Sequence, residues 1–285
     1  MNPLILFIAG GYSFWVGVLL ISVIAVNSSR KRSILILKTI ALLAGLILIA
    51  VSMTPIPYWW YVMQGVAAAY WLWIFRRKES LPDRESMAVR GIWVCVLSAL
   101  VLELPYVLLP RLASPQTREL VILADSLTAG LEEKDVTWPE QLAERVDYPI
   151  LDLSHVGAVV KDGLSMIEDA NLDGQLVLIE LGGNDLLGST SPQEFHESLN
   201  RLLMTLSEAN CTILMFELPL PPFRYDIAYS QRTLCDRYNV QLIPKRYLLA
   251  TIVGEGKTLD SIHLSEKGHE ELANFMESLL KPVLE

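Results

Sequence analysis

Four long apolar segments occupy the first 113 residues of the chain: Leu4–Val26, Ile34–Met53, Pro57–Phe75 and Met87–Leu109. Each is close to the roughly 20 residues that a helix needs to cross a hydrocarbon core about 30 Å thick. The first segment lacks a basic start and is too long for the apolar region of a signal peptide. The sequence therefore predicts an all-α transmembrane domain of four helices over residues 1–113.

The orientation of these predicted spans follows from their loops. Basic residues cluster between the first and second spans and between the third and fourth: Arg30, Lys31, Arg32, Arg76, Arg77, Lys78 and Arg84. The loop between the second and third spans, residues 54–56, carries no charge. The positive-inside rule then places both basic loops in the cytoplasm. We expect the N-terminus, and everything after the fourth span, to lie outside the cytoplasm.

Charge divides the chain at the same boundary. Residues 1–113 carry a net charge of +6 and residues 114–285 a net charge of −15, within a total of −9. The contrast predicts two domains in different solvents, and residues 114–285 are numerous enough to build their own core. The acidic balance excludes nucleic acid as a partner, since binding phosphates requires a basic face. No Walker loop or zinc-type spacing occurs, so no metal or other cofactor is expected.

Short apolar strands alternate with helical segments in the second half. Strands are predicted at 119–124, 149–153, 176–181, 212–218 and 240–243, and helices at 138–146, 161–170, 191–209, 224–238 and 265–280. Thr137 with Glu140, and Ser191 with Glu194, have the spacing of capping boxes. Alternating strands and helices predict an α/β domain whose parallel five-stranded sheet has helices on both faces.

Polar and glycine-containing motifs follow these predicted strands or precede the last helix. They are Asp125-Ser126-Leu127, Gly157, Gly182-Gly183-Asn184-Asp185 and Asp260-Ser261-Ile262-His263. The ends of parallel strands and the loops that follow them converge at one edge of a sheet. We therefore expect these motifs to meet there and to form a single site.

The residue types of these motifs suit acyl transfer. A serine hydroxyl is a weak nucleophile and needs a base to take its proton, and a carboxylate on the base's other nitrogen fixes its tautomer. Ser126 fits the role of the nucleophile, His263 that of the base and Asp260 that of the carboxylate. Asp260 and His263 can contact each other locally because they are three residues apart on one turn. The Ser126 N–H, the Gly157 N–H and the Asn184 amide are the expected oxyanion-hole donors.

With these blocks in this order, the sequence resembles the SGNH (GDSL-type) hydrolase family over about residues 118–280. The tail Ser265-Glu266-Lys267-Gly268-His269 also resembles that family, whereas Ala124 stands where its first block has glycine. The resemblance implies a flavodoxin-like three-layer α/β/α fold, a Ser-His-Asp triad, a Ser/Gly/Asn oxyanion hole and no metal. Members of the family hydrolyse esters or thioesters, including O-acetyl groups on glycans and the acyl chains of lysolipids.

Several other polar residues are interpreted without a chemical role. Asp125 and Asp185 are expected to hold turns, and His155, His196 and His269 are not expected to be catalytic, although His155 lies close enough to Gly157 to line a pocket. Lys38 is close enough to the cytoplasmic end of its span to snorkel. Glu103 is attributed to interfacial solvation, with a functional carboxylate as the alternative, and Arg224 to a solvated loop, with contact to substrate as the alternative. Cys211 and Cys235 either form a disulfide or remain two separate thiols, and the sequence leaves both readings open.

The sequence thus predicts a multi-pass membrane protein whose serine esterase domain, residues 114–285, is extracytoplasmic. The first hypothesis is hydrolysis of an O-acyl ester, foremost O-acetyl, on a cell-envelope glycan. The second is a lysophospholipase or thioesterase acting on lipid acyl esters, and the third is a scaffold that binds an acylated ligand without catalysis. Four spans exceed what tethering needs, so a membrane partner is a further expectation.

Overall fold

The computed structural model describes residues 3–26, 32–52, 54–77, 81–112, 119–131, 135–221, 224–260 and 262–284. The chain divides into two compact units. A helical unit contains Phe7–Leu108 with Pro221–Tyr225, and an α/β unit contains Leu109–Leu220 and Asp226–Glu285 with Met1–Leu6. The predicted boundary after residue 113 lies outside the described residues, as do Arg30, Lys31, Lys78 and Ser261.

Among the described residues, five α-helices make up most of the helical unit, although the first of them begins in the segment Met1–Leu6 that groups with the α/β unit. They are α1 (Pro3–Ala9), α2 (Tyr12–Val26), α3 (Arg32–Val51), α4 (Tyr58–Arg76) and α5 (Pro82–Glu103), and a 3₁₀ turn, Leu104–Tyr106, follows α5. The predicted first span is therefore two helices, which are bent by 71° at their break. Gly11 lies in this break with φ of 79°, a left-handed conformation that glycine adopts without steric cost.

Two of these helices are long and apolar enough to cross a membrane. They are the segments Ile34–Val51 and Pro82–Tyr106, and the bent pair α1–α2 adds a third if it forms one span. Helix α4, predicted as a span, does not meet the same criterion, because its Tyr and Trp residues and Gln64 lower its mean hydropathy. Length and composition therefore support two or three spans among the described residues, compared with the four predicted.

Helices α2 and α3 pack closely at a pair of glycines. A Cβ built on Gly17 would lie 2.6 Å from the Gly45 carbonyl oxygen, and one on Gly45 would lie 2.8 Å from the Gly17 carbonyl oxygen. Small residues at such crossings let helix backbones approach, which is a common packing device where lipid surrounds a bundle. On α4, the buried Trp60 indole donates hydrogen bonds to the Cys95 carbonyl (3.1 Å) and the Ser98 hydroxyl (3.0 Å).

The α/β unit is built on a parallel five-stranded sheet, as the sequence predicts. Its strands are β1 (Leu120–Ala124), β2 (Ile150–Asp152), β3 (Leu176–Glu180), β4 (Thr212–Phe216) and β5 (Gln241–Ile243), in the order β2-β1-β3-β4-β5. All neighbouring pairs are parallel. Every residue of β1 and β3 is buried, which explains why these strands are continuous apolar runs rather than alternating patterns.

In the described part of the chain, eight α-helices accompany this sheet. They are α6 (Ser126–Ala129), α7 (Trp138–Ala143), α8 (Gly163–Met166), α9 (Gly183–Leu187), α10 (Pro192–Glu208), α11 (Tyr225–Arg237), α12 (Lys245–Ile252) and α13 (Glu266–Leu284). The predicted box at α10 forms in both directions, since the Ser191 hydroxyl accepts the Glu194 N–H and Glu194 Oε2 accepts the Ser191 N–H. At α7 one of the two bonds forms, from the Thr137 N–H to Glu140 Oε2 (3.0 Å). The predicted helix 161–170 is shorter, a 3₁₀ turn (Val160–Asp162) followed by α8, and α12 was not predicted.

The strand order brings the motif-bearing loops together. Strands β1 and β3 are neighbours, but the connection that leaves β1 runs to β2 on one side of the sheet and the connection that leaves β3 runs to β4 on the other. In open α/β sheets a crevice forms at such a reversal, outside the carboxyl ends of the strands. The loops after β1, β2 and β3, which carry Ser126, Gly157 and Asn184, therefore share one edge.

Candidate active site

Ser126 occupies a tight turn between β1 and α6. It is the first residue of α6, and Asp125 precedes it as the helix N-cap, with its Oδ1 accepting the Leu127 N–H at 2.9 Å. The Asp125 backbone N–H donates to the Glu180 carbonyl at 3.2 Å, which continues the pairing of β1 with β3 up to the turn. Ser126 is 6% exposed, so its hydroxyl is held in place by packing while its Oγ faces the loop before α13.

The structure brings together the three residues proposed from the sequence as a catalytic group. His263 Nε2 lies 3.1 Å from Ser126 Oγ, and His263 Nδ1 lies 2.7 Å from Asp260 Oδ2. A neutral ring that donates from Nδ1 to the carboxylate and accepts the serine proton at Nε2 fits both distances. Ser126 and His263 are separated by 137 positions in the chain, so this contact depends on the tertiary fold.

The turn that carries Asp260 and His263 is fixed by its own backbone. Asp260 Oδ1 accepts the N–H groups of Ile262 (3.1 Å) and His263 (2.9 Å), and the Leu259 N–H donates to the His263 carbonyl at 2.8 Å. Hydrogen bonds from the His263 backbone and ring, then from the Ile262 N–H, lower the pKa of Asp260 to about 2. Asp260 is therefore a carboxylate at any ordinary pH and can stabilise an imidazolium.

Two of the three expected oxyanion donors are backbone groups. The N–H groups of Ser126 and Gly157 donate no hydrogen bond to any residue that the structure describes. Gly157 has φ of 80°, and a Cβ built on it would meet nothing within 4 Å. Glycine at this position thus allows the left-handed turn without steric cost, and the space at its Cβ position is open.

The third expected donor, Asn184, projects from the first turn of α9. Its Nδ2 donates to the Ala158 carbonyl at 2.9 Å and lies 3.4 Å from Asp125 Oδ2. Gly182, immediately before α9, has φ of 118°, and a Cβ there would lie 2.7 Å from Leu218 Cδ1. The double glycine therefore makes the turn that aims the amide towards the Ser126 loop.

Buried acids surround the site. Asp185 Oδ2 accepts the Val160 N–H at 2.9 Å, which ties α9 to the loop after β2. Burial raises the pKa of Asp185, and it raises the pKa of Asp125 to about 6 against the opposing effects of the Leu127 N–H and His263. Both residues hold turns, as the sequence analysis expected. Glu180 and Thr128, which the sequence analysis missed, lie buried under the same turn.

The other histidines and the cysteines stand apart from this constellation. His155 is exposed, His196 Nδ1 lies 3.1 Å from the Ser230 hydroxyl, and His269 Nδ1 accepts the Trp138 N–H at 3.2 Å. Cys95, Cys211 and Cys235 are all free thiols, so the disulfide alternative is not realised. Within the described ranges no group of three or more His, Cys, Asp or Glu side chains is arranged to hold a metal ion.

Comparison with known proteins assigns this arrangement to a family. The model of the GDSL-like Lipase/Acylhydrolase family matches residues 125–271. The chain is 28% identical over 175 residues to Thioesterase 1/protease 1/lysophospholipase L1 of Escherichia coli (strain K12), covering 58% of this chain and 84% of the relative. It is 26% identical over 181 residues to the Arylesterase of Vibrio mimicus, covering 58% of this chain and 88% of the relative.

A solved structure supports the same fold. The psychrotrophic esterase EstA from Pseudoalteromonas sp. superposes with a TM-score of 0.51 at 23% identity, covering 58% of this chain and 98% of the esterase. The family model and the esterases among the relatives agree on the chemistry, which is hydrolysis of ester bonds. The chain belongs to the GDSL-like lipase/acylhydrolase family and is a serine ester hydrolase.

Proposed function

We propose that Ser126, His263 and Asp260 act as the catalytic triad of this hydrolase. The observation that carries the proposal is the continuous path from Asp260 Oδ2 through the His263 ring to Ser126 Oγ, with contacts of 2.7 and 3.1 Å. Both distances are within the hydrogen-bond reach that proton transfer requires.

The residues support a two-step acyl transfer. As Ser126 Oγ attacks the ester carbonyl, His263 Nε2 takes its proton and Asp260 stabilises the resulting imidazolium. The same proton passes to the leaving alkoxide, so an alcohol departs and an acyl-serine remains. A water molecule, deprotonated by His263, then attacks the acyl group, and Ser126 regains its proton as the acid leaves.

Three donors are proposed to stabilise the oxyanion. The N–H groups of Ser126 and Gly157 are available as donors, whereas the Asn184 amide is engaged by Ala158 and, weakly, by Asp125. The 3.4 Å contact with Asp125 is the weaker of these two bonds, so it is the one that an oxyanion would replace. Asn184 thereby gains a better acceptor only when charge develops on the substrate.

For the substrate, we propose an O-acyl ester, foremost an O-acetyl group on a cell-envelope glycan, on the basis of the expected extracytoplasmic position of the site. Apolar side chains beside the site loops favour the second candidate, a lipid acyl ester. Val156, which precedes Gly157, is 58% exposed, and Leu187, three residues after Asn184, is 69% exposed. Ile262, which precedes His263, is 43% exposed. The names of the Escherichia coli relative, thioesterase and lysophospholipase, fit that candidate as well.

The helical unit is proposed to anchor the enzyme in a membrane through four spans, with the hydrolase domain (residues 114–285) outside the cytoplasm. Two helices of sufficient length and apolarity, and the bent pair as a third, support anchoring. Helix α4 would be the fourth span, with its Tyr and Trp residues near the two interfaces, where such side chains concentrate. An anchored domain would meet both proposed substrates, since glycans and lipids lie at the membrane surface.

The test uses the full chain in detergent with p-nitrophenyl esters of two to twelve carbons and with an acetylated glycan. Ser126→Ala should lower kcat at least about 10³-fold on any substrate that the enzyme accepts. Preference for acetyl esters would favour the glycan, and preference for long chains the lipid. Turnover that Ser126→Ala leaves unchanged would refute the triad, and binding of acyl ligands without Ser126-dependent turnover would favour the scaffold.

A further inference from the structure

A chain of buried polar groups lies directly under the Ser126 turn. Glu180, the last residue of β3, is 4% exposed, and its Oε2 accepts the Thr128 hydroxyl at 3.1 Å. Thr128 in turn accepts the Trp138 indole N–H at 3.0 Å, and both Thr128 and Trp138 are fully buried. Helix α6, which begins with Ser126, is thereby tied through its third residue to the end of β3.

Glu180 also holds the other side of the same turn. Its backbone carbonyl accepts the Asp125 N–H at 3.2 Å, one residue before Ser126. The Asp125 carboxylate then caps α6 through the Leu127 N–H and meets the Asn184 amide. Residues on both sides of the nucleophile, and one expected oxyanion donor, are thus linked within two contacts to Glu180.

The charges around Glu180 are unfavourable for an anion. No Lys, Arg or His side chain pairs with it among the described residues, and its charged neighbour is Asp125. Asp125 itself faces His263 and Asp185. Burial, with the negative charge of Asp125, raises the pKa of Glu180 well above its usual range, against the opposing bonds from Thr128 and the Asp125 N–H. A buried carboxyl without a cation is stable chiefly as the neutral acid.

The hydrogen-bond directions agree with a neutral Glu180. Thr128 has one hydroxyl proton, and because its oxygen accepts the Trp138 N–H, that proton is directed at Glu180 Oε2. In a neutral Glu180, Oε2 is then the carbonyl oxygen and Oε1 carries the acid proton. A glutamine would reproduce this pattern, with its carbonyl oxygen towards Thr128 and its amide in place of the acid O–H.

We propose that Glu180 is a positioning residue: held as a neutral acid beneath the nucleophile turn, it fixes Ser126 and Asp125 in place without adding negative charge to the site. The inference rests on the proposed role of Ser126. It adds a residue that touches no substrate in the proposed mechanism and acts only through Thr128 and Asp125.

The test compares full-length Glu180→Gln, Glu180→Ala and the surface control Glu168→Gln in detergent. Steady-state kcat and KM are measured with a p-nitrophenyl ester, and Ser126 is labelled with a fluorophosphonate to give a second-order rate. Per folded molecule, Glu180→Ala should lower both kcat and the labelling rate about 10- to 100-fold. KM should change less than about threefold, because a displaced Ser126 hydroxyl is misaligned for attack while the substrate still binds. Glu180→Gln should restore most of the loss.

Thermal unfolding between pH 5 and pH 8 tests the protonation state. A group whose pKa is raised in the folded state binds more protons there than in the unfolded chain, so stability falls as pH rises above the ordinary glutamate pKa of about 4.3. The unfolding midpoint of Glu180→Gln should therefore gain on that of the wild type as pH increases. Glu168→Gln should show no such gain.

Three results would overturn the proposal. They are normal labelling of folded Glu180→Ala, equal losses in Glu180→Gln and Glu180→Ala, and a midpoint difference that does not change with pH. Failure of the underlying function is recognised separately: the wild type would not be labelled, and Ser126→Ala would hydrolyse the ester as fast as the wild type does.

Discussion

At the scale of single residues, the site combines contacts that are local in sequence with contacts that are not. Asp260 orients His263 from three residues away and needs little more than its own turn. Asn184 instead depends on two partners from other loops, Ala158 and Asp125. Its amide is therefore the group whose placement reports most directly on the assembled site.

Asn184→Ala should lower kcat by about 10²- to 10³-fold while leaving KM within about threefold, because an oxyanion donor acts mainly in the transition state. Steady-state kinetics on a p-nitrophenyl ester would measure both constants. Asn171→Ala, at an exposed position before β3, serves as the matched control. An increase in KM with unchanged kcat would assign Asn184 to substrate binding instead of oxyanion stabilisation.

At the scale of elements, the end of β4 is held by a buried ion pair. Glu217 Oε1 lies 2.6 Å from Arg232 Nη2 of α11, and Glu217 Oε2 accepts the Lys245 N–H at 3.3 Å. Burial alone would raise the pKa of Glu217, but the charges of Arg232 and Lys245 outweigh it, so the pKa is lowered. The pair thus fastens α11 and the start of α12 to the strand ends.

Arg232→Met should destabilise the protein by about 3–5 kcal/mol, because it leaves Glu217 buried without its main counter-charge. Denaturant unfolding of the full chain, followed by tryptophan fluorescence, would measure the loss. Arg145→Met is the control, because the Arg145–Glu277 contact is longer (3.5 Å) and the two side chains are 29% and 46% exposed. Removing this exposed contact should lower the free energy of unfolding by at most about 1 kcal/mol.

The sign of the pH dependence follows from the lowered pKa of Glu217. Its stabilising effect is present above the ordinary glutamate pKa and is lost as pH falls through the folded value. The penalty of Arg232→Met should therefore shrink on acidification. A penalty that stays constant from neutral to acid pH would contradict the ion-pair explanation.

At the scale of the whole molecule, two units of opposite chemical character share one chain. The helical unit has an apolar core of aliphatic and aromatic side chains, and it also exposes many apolar residues, including Leu19, Leu37, Ile47 and Val101. Such exposure is costly in water and favourable in lipid, which agrees with the proposed anchoring. The α/β unit buries its apolar residues around the sheet in the manner of a water-soluble enzyme.

A phosphatase reporter fused after Glu285 should be active, because the positive-inside rule places the C-terminal half outside the cytoplasm. A second fusion, placed after Arg77 with the rest of the chain removed, should be inactive. Activity of both fusions would contradict the proposed orientation, and so would activity of the second alone. Release of the full protein from membranes by high salt would contradict anchoring itself, because spanning helices are not held by charge.

The parallel five-stranded α/β fold and the family could be predicted from the sequence, and both are confirmed, whereas the roles of the site residues stay predictions. Strand alternation, the capping boxes at Thr137 and Ser191, and the spacing of Asp260 and His263 are local signals, written within a few neighbouring positions. Of the four predicted spans, length and composition support two or three among the described residues, and α4 stays a prediction because its aromatic residues lower its mean hydropathy. It also missed α12, which lacks a side-chain cap at its start.

Which side chains meet across long separations in the chain depends on the tertiary fold. The Ser126–His263 contact, the absence of a disulfide between Cys211 and Cys235, and the burial of Glu180 under the Ser126 turn all depend on how distant segments pack. In the sequence, Glu180 is one acid at the end of an apolar strand. Its partners and its protonation come from desolvation and from neighbours on other loops, and those exist only once the chain has folded.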